Sequence, residues 1–480
     1  MKKIKDQTAL VIGGSMAGFF AARVLSDFFQ NVIVVDRDQY PSEPQNRKGV
    51  PQSFHVHRLL PKGREIIETY FPGFIEDLVA KGAYDALDKP GYVVTPLGEL
   101  EVTSPIEDAG SSRALLEWTL RERVMTRPNI KWVTDIEING LTQSDDHLAI
   151  TGVWGKKRKT GEQVWLGADM IIDASGRLTK LEHWLKQLNK TIPASERLHT
   201  HIGYTTRYYE VPEEADQSFT DIIVQGVPSK EIGAGLFSFQ ENKRAGIILY
   251  FAGGGQYPST DGETFESDIS KLFDTRIADT AKGFIPITEP RGYRIQECVR
   301  RHYEEAGDWP KGLIAIGDAF CNFDPLFGQG ISVAAIEVSI LDQFLKERTF
   351  LEDGFEQRFM RNIQQAIEPA WWTSGLSDLQ WPGVSYEGNG TLSDVSFALT
   401  YLEQYMIKAF EEKKQGKTEL VNRYFGMIGL LHSPTEVFNG ETLEKLAQTS
   451  DALAAYRQKG ETWEDVIKTH IPVFVKGLVV

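Results

Sequence analysis

Cysteine is nearly absent from the 480 residues: only Cys298 and Cys321 occur, with no Cys-x-x-Cys and no Cys/His spacing. This excludes a disulfide framework and a thiolate metal site, and it sets the expectation of a reducing, cytoplasmic environment. Long apolar runs are also missing. None approaches the roughly 20 residues that a spanning helix needs, so no integral membrane segment is expected. The apolar tail from Ile471 to Val480 is read as a docked terminus. Basic residues are outnumbered, Lys+Arg 52 against Asp+Glu 67 for a formal charge of −15, which argues against nucleic acid or anionic membrane as a partner. There is no internal repeat and no low-complexity tract. What remains is an ordinary globular composition, 41% hydrophobic, with enough chain for about two to three packed domains.

The start of the chain imitates a secretory signal, with basic residues before ALVIGGSMAGFFAA. The pattern of the next residues rejects that reading. Thr8 to Ile12 read as a strand, Gly13-Gly14-Ser15-Met16-Ala17-Gly18 as a glycine turn, Ala17 to Phe29 as a helix, and Val32 to Val35 as a second strand ending at Asp36. This is a βαβ dinucleotide fingerprint, with Asp36 placed 18 residues after Gly18 and Ser15 where a middle glycine is usual. Asp36 can accept two ribose hydroxyls and would repel a 2′-phosphate, so FAD or NAD fits and NADP does not. Arg37, beside it, is grouped with the nucleotide contacts.

A second stretch, Gly312 to Ala335, reads GLIAIGDAFCNFDPLFGQGISVAA. Leu313 to Ile316 suit a short buried strand that opens onto a ligand crevice, with Asp318 at the opening. Pro325, Gly328 and Gly330 make a tight loop, and from Ile331 to Phe344 the apolar residues Val333, Ile336, Ile340 and Phe344 keep helical spacing. Free N–H groups at such a helix start carry partial positive charge and can face the N1–C2=O edge of a flavin. Asp318 would accept hydrogen bonds from ribityl hydroxyls. Of the two nucleotides, only FAD accounts for both stretches.

These residues resemble the second flavin signature of the aromatic-hydroxylase-like FAD monooxygenases, Gly-Asp-Ala followed by Pro-x-x-Gly-x-Gly. Gly317, Asp318, Ala319, Pro325, Gly328, Gly330 and Ala334 match it, and Gly13-Gly14-Ser15 matches the Gly-Gly-Ser frequent in that family. The run from Arg47 to His57, RKGVPQSFHVH, is similar to one in a bacterial subgroup that includes the epoxidases of polyether polyketides. The resemblance implies that Arg47 or Lys48 meets the pyrophosphate or the ring edge, and that Gln52 and His57 neighbour the flavin. His55 stays open between loop and site, and His-x-His without a carboxylate implies no metal. Ser112-Arg113 precede a helix over Ala114 to Met125. In the resembled family an arginine in Ser-Arg-x-x-Leu-Glu reaches the FAD phosphates or ribityl chain, for which a guanidinium is suited. Met170 to Ile172 form a strand ending in Asp173-Ala174-Ser175-Gly176-Arg177, which returns to the nucleotide crevice, and Asp173 joins the cofactor contacts on that ground. The aromatic hydroxylases read Asp-Gly here and use it partly for NADPH, so Asp173-Ala174 argues against a lasting second nucleotide site.

The resemblance covers most of Ala9 to Phe344. It implies an α/β class, α+β overall: a Rossmann-like FAD-binding domain from 1–85, 105–185 and 290–350, an antiparallel-sheet substrate domain from 86–104 and 186–289, and a helical C-terminal region over 351–480. His201 to Glu210, Phe219 to Gln225, Gly235 to Gln240 and Gly246 to Phe251 read as a meander. Phe237 and Phe239 lie on one face and Leu236 and Ser238 on the other, and either face can line a substrate. Trp371 to Pro382 reads as an aromatic-rich loop, with helices near Leu392 to Phe410 and Glu419 to Leu431. The function implied is that of an FAD-dependent monooxygenase. Non-covalent FAD, reduced by NAD(P)H or by a partner flavin reductase, would react with O2 to give a C4a-hydroperoxide. One oxygen atom then passes to a large apolar substrate by epoxidation or hydroxylation. The alternatives are a flavin-dependent reductase or dehydrogenase of isoprenoid-like substrates and a non-enzymatic flavin carrier. The Trp-x-Trp-x-Ile-Pro signature of flavin halogenases is missing. Because the cofactor carries the chemistry, no catalytic side chain is nominated. Asp318 is expected to matter more to FAD than Arg113, whose contact solvent could partly replace.

Overall fold

Five short runs rich in Val, Ile and Leu pair in parallel, in the order Leu313–Ala315, Met170–Asp173, Ile4–Ile12, Phe29–Val35, Ile130–Val133. Parallel strands are covered on both faces, so their residues alternate little in polarity. Leu10, Val34, Ile171 and Ile314 are accordingly all fully buried. The computed structural model describes residues 4–104, 106–347, 352–388 and 394–475; residues 476–480 of the apolar tail lie outside these. In register, Ile12 pairs with Asp173 and Val35, and Asp173 with Ala315. The strands therefore end together, and Gly13, Asp36, Ala174 and Ile316, with Gly317 just beyond it, come next along one carboxyl edge, where α/β sheets bind ligands.

The glycine turn leads into helix Met16–Phe28, and the Asp318 loop into helix Gln329–Lys346; the two helices pack on each other. Gly13 has φ +100°, and a Cβ there would lie 2.5 Å from the Ala174 carbonyl oxygen. A Cβ on Gly18 would lie 1.9 Å from the Gly13 carbonyl oxygen, so helix and turn approach more closely than any side chain permits.

The second large sheet corrects the expected meander. Asp221–Val224, Ala234–Gln240 and Arg244–Phe251 are consecutive antiparallel neighbours, but Ile202–Glu210 pairs with Arg244–Phe251, from Gly203 opposite Phe251 to Glu210 opposite Arg244. Asp221–Val224 instead takes Pro90–Thr95 as its other neighbour, in parallel, and Gly98–Thr103 lies beyond it. Arg291–Ile295 joins Ile202–Glu210, so a strand from the 290–350 segment also lies in this sheet. Phe237 and Phe239 are buried in a separate core with Phe219, Ile222 and Ile247, closed by Phe265 of helix Gly262–Ile269 and Ile277 of helix Arg276–Thr280. Leu236 and its cross-strand partner Ile248 face the other way.

Trp371 and Trp372, expected in a loop, are fully buried in helix Phe355–Asp378. Pro369 lies inside that helix and supplies no N–H, and Thr373 Oγ1 donates to the Pro369 carbonyl at 2.7 Å. Phe359, Ile363, Ile367 and Trp371 form the apolar stripe that keeps the element helical despite the proline. Helices Val395–Lys414 and Glu419–Ile428 come after it. No described helix is long and apolar enough to cross a membrane.

His302 clasps this helix to the sheets. Its Nδ1 meets Glu304 at 2.8 Å and its Nε2 meets Glu196 at 3.1 Å, while Gln364 of the Pro369 helix donates to Glu304 and to the Arg301 carbonyl. Burial alone would lower the His302 pKa, but the bonds to Glu196 and Glu304 outweigh it and raise the value from 6.5 to about 9. A group with a raised folded pKa contributes stability that is complete below the unfolded value and lost as pH climbs through the folded one. We expect the free energy of unfolding to fall by about 1–2 kcal/mol between pH 6.5 and 9 on this account, after allowance for solvent screening. Urea melts at the two ends of that window measure it, and His302→Gln should flatten the slope. An unchanged slope in His302→Gln would show that the clasp does not titrate in this range.

Candidate cofactor and substrate site

A single cavity of about 1420 Å³ runs along the carboxyl edge of the parallel sheet and continues beneath the second sheet. Ser15, Ala17 and Arg37 line one part of it, and Gln52, His57 and Arg113 another. Asp318, Pro325, Gly328, Gly330 and Ile331 are on the same wall. Gly13, Gly18, Asp36, Arg47 and Asp173 are not on the wall, and each is held by the protein itself.

Asp36 turns inward. Its Oδ2 accepts from Gly14 N at 2.9 Å and from Arg47 Nη1 at 3.2 Å, and its Oδ1 from Asp38 N at 2.8 Å. Burial pushes its pKa up against the pull of Arg47. Arg47, read from the resemblance as a pyrophosphate or ring-edge contact, is instead 5% exposed and fully engaged. Its Nε donates to Glu117 Oε1 at 2.7 Å and its Nη2 to the Gly14 carbonyl at 2.7 Å. The physical reason is the pair of buried carboxylates, Asp36 and Glu117, which compete for the guanidinium more strongly than a solvated site can. Asp173 is likewise satisfied locally, accepting from Ser175 N at 2.9 Å and Thr179 Oγ1 at 2.5 Å. It shapes the loop whose next residues, Ala174 to Leu178, reach the cavity.

Glu117 is the hub that sequence reasoning passed over. It accepts from Ser15 Oγ at 2.7 Å and pairs with Arg113 at 3.2 Å as well as with Arg47. Burial would raise its pKa, but Arg113 and Arg47 prevail and lower it. The signal was present as an acid four residues after Arg113, one turn along the same helix face. Arg113 is 4% exposed, and its Nε and Nη1 have no hydrogen-bond partner among the described residues. Arg177, also unforeseen, lines the cavity with an unpartnered Nε, and after burial it is the first group acting on Asp318. Burial raises the Asp318 pKa, and Arg177, Arg113 and Arg301 pull it back.

Of the histidines of the Arg47 to His57 run, His55 is buried and His57 half-buried, and both are neutral bases. His55 Nδ1 bonds Thr206 Oγ1 at 2.8 Å and His57 Nδ1 approaches the His55 carbonyl at 3.0 Å. Burial, reinforced by His57 for the first and by Arg113 for the second, lowers both to about 3. Neither carries a proton charge near neutrality.

Away from the glycine turn the cavity becomes apolar, walled by Leu236 and Ile248 from the sheet and by Leu399, Met406 and Phe425 from the two helices after the Pro369 helix. Polar groups interrupt these walls: Arg58 paired with Asp221 at 3.1 Å, and Gln225, Gln380, Glu403 and Asn422.

These groups fit FAD. Two glycine-rich helix starts, two arginines with unused donors and a carboxylate facing the cavity offer the anion and hydroxyl contacts that a flavin dinucleotide uses. No family model matches the chain. It is 28% identical over 389 residues to Protein Rv3254 of Mycobacterium tuberculosis, covering 78% of this chain and 80% of that one. It is 21% identical over 368 residues to the squalene monooxygenase of Mus musculus, covering 73% of this chain and 56% of the relative, so it spans just over half the length of that enzyme. Among solved structures, the flavin-dependent brominase Bmp2 aligns with a TM-score of 0.65 at 14% identity, covering 94% of this chain and 98% of that one. PqsL, a probable FAD-dependent monooxygenase from Pseudomonas aeruginosa, aligns with a TM-score of 0.57 at 14% identity, covering 85% and 98%. The fold is that of these flavin-dependent enzymes. At such identities the likeness extends to fold alone.

Proposed function

We propose that the chain is an FAD-dependent monooxygenase that transfers one oxygen atom of O2 to a large apolar substrate, by epoxidation or hydroxylation. The observation that carries this reading is the continuity of one cavity from the glycine turn, past Arg113, Arg177 and Asp318, into an apolar chamber. FAD bound there, once reduced, would supply the two electrons and the reaction with O2. Ser15, Ala17 and Arg37 would hold the nucleotide end. Arg113 would meet the phosphates or ribityl chain, Asp318 the ribityl hydroxyls, and the backbone N–H groups at Gly330 and Ile331 the pyrimidine edge. Gln52 and His57 would neighbour the ring. The apolar walls exclude water, which protects an oxygen-transfer step from wasteful hydrolysis. Likeness to squalene monooxygenase, an enzyme named for a polyene substrate, supports an apolar substrate class. Reduction by NAD(P)H visiting the cavity transiently, or by a partner flavin reductase, suits a chain with one dinucleotide fingerprint.

The test is a turnover assay with FAD-loaded protein, NADH or NADPH with and without a flavin reductase, and a panel of polyenes and terpenoids under 18O2. A product one oxygen heavier that carries the label is expected. Saturated or desaturated product formed without O2 would establish the reductase or dehydrogenase alternative, and flavin that turns over with none of the panel would favour a carrier.

A further inference from the structure

Two buried carboxylates, Asp324 on the cavity wall and Asp378 behind it, meet at one hydroxyl with no cation between them among the described residues. Asp324, just before Pro325, accepts from Leu326 N through Oδ1 at 2.9 Å and receives the Tyr250 hydroxyl on Oδ2 at 2.6 Å. Asp378, the last residue of the Pro369 helix, lies on the other side of the same hydroxyl, its Oδ1 3.4 Å away. Asp324 and Asp378 are 1% exposed and Tyr250 is 2% exposed. Asp378 Oδ2 has no hydrogen-bond partner among the described residues. Tyr250 and Asp324 line the cavity, as do Thr373 and Ser377 on the turns leading to Asp378.

The other titratable groups facing this cluster are the Cys298 thiol and the Tyr204 phenol, with Arg177 beyond them. Burial pushes the thiol and the phenol up, so both are neutral near pH 7. None is a cation bonded to either carboxylate. Two carboxylates that share one hydroxyl in a dry site cannot both ionise cheaply, so the pair retains a proton. Burial first, and Asp324 second, hold Asp378 well above the ordinary carboxylate range.

Oxygen transfer needs such a proton. With reduced flavin as its anion and S as substrate, FADH⁻ + O2 + S + H⁺ gives FAD + SO + H2O; without substrate, FADH⁻ + O2 + H⁺ gives FAD + H2O2. In both cases two electrons leave the flavin and one proton must be delivered inside a site built to exclude water. We propose that the Tyr250–Asp324–Asp378 cluster stores that proton and delivers it to the oxygen atom that leaves as water or peroxide. Asp378 gives its proton to the Tyr250 oxygen, the Tyr250 proton passes to Asp324, and Asp324, beside the Pro325 to Gly330 loop, releases it into the cavity. The pair, left with one more negative charge, takes a proton back from solvent before the next cycle. The role rests on the FAD and O2 reading above.

Two measurements on FAD-loaded protein test it. Infrared difference spectra of wild type against Asp378→Asn, in H2O and D2O at neutral pH, should show a protonated-carboxyl band that shifts in D2O and disappears in the variant. Stopped-flow mixing of photoreduced protein with O2 should show a solvent isotope effect in wild type. Asp378→Asn and Tyr250→Phe should slow flavin reoxidation on the order of 10²-fold, the usual contribution of a positioned acid, and abolish the isotope effect. If Asp378→Asn does not fold, Asp324→Asn carries the same two readouts. A flavin-loaded protein without the carboxyl band, or variants that reoxidise at the wild-type rate, would overturn the inference alone. A protein that takes up no flavin would refute the cofactor reading and this role with it.

Discussion

Replacing Arg47 with methionine is expected to cost the flavin-free protein about 3–5 kcal/mol of stability, because it leaves buried charge without its partner. The guanidinium is 5% exposed and is bonded to Asp36, Glu117 and the Gly14 carbonyl, with Asp38 3.4 Å away. Its carbon also sits 5.2 Å from the centre of the Tyr40 ring. Methionine keeps much of the volume and none of the donors. Glu117 would retain Arg113, but Asp36 would keep only backbone N–H groups and a long bond from Tyr40. Burial already raises the Asp36 pKa against the pull of Arg47, so removing that pull raises it further. This sets the sign of the pH dependence: an uncompensated carboxylate is neutralised by acid, so the deficit relative to wild type should shrink as pH falls. Arg47→Lys keeps the charge without the fork and should recover part of the loss. Urea melts of the three proteins over pH give the comparison. A loss under about 1 kcal/mol, the worth of an exposed ion pair, would mean that solvent reaches the cluster and that Arg47 does not organise the glycine turn.

Loss of Asp318 or of Arg113 should each weaken FAD binding by about 10- to 100-fold, the equivalent of 1.5–3 kcal/mol for hydrogen bonds to charged groups. From sequence, Asp318 was expected to matter more, on the view that solvent replaces part of the Arg113 contact. The structure removes that asymmetry. Arg113 is 4% exposed, burial lowers its pKa, and two of its donors are unmet among the described residues. A bound anionic group would complete them where water has little access. Asp318 faces the cavity against Arg177 and Arg113, so its removal also leaves cationic charge uncompensated. Flavin fluorescence titrations of Asp318→Ala and Arg113→Ala check both. Wild-type affinity in either variant would take that residue out of the site.

Much of this arrangement was legible in the chain because it rests on local rules. Gly13 and Gly18 reveal themselves as positions no side chain can occupy, and the run from Leu313 to Ile316 as a fully buried strand. Both features are written in a few adjacent residues. The rest was hidden because it depends on partners far apart in sequence. Arg47 looked free to meet phosphate until Glu117, 70 residues on, was seen to hold it. Asp324 and Asp378 lie on different elements, and only folding brings them to the same Tyr250 hydroxyl. In sequence Trp371 and Trp372 read as part of an aromatic-rich loop running to Pro382. Tertiary packing of the apolar stripe overrode that local signal. The order of the second sheet was hidden for the same reason. Alternating patterns mark strands without saying which strand each one pairs with.

The functional reading stands or falls on whether this cavity binds FAD, and the most direct measurement is the identity and stoichiometry of the flavin held by the purified protein. Protein saturated with FAD, freed of excess by gel filtration and then denatured by heat or acid, should release one intact FAD per chain into the supernatant. Release of FMN in place of FAD, flavin that stays with the precipitate, or protein that retains no flavin would contradict it.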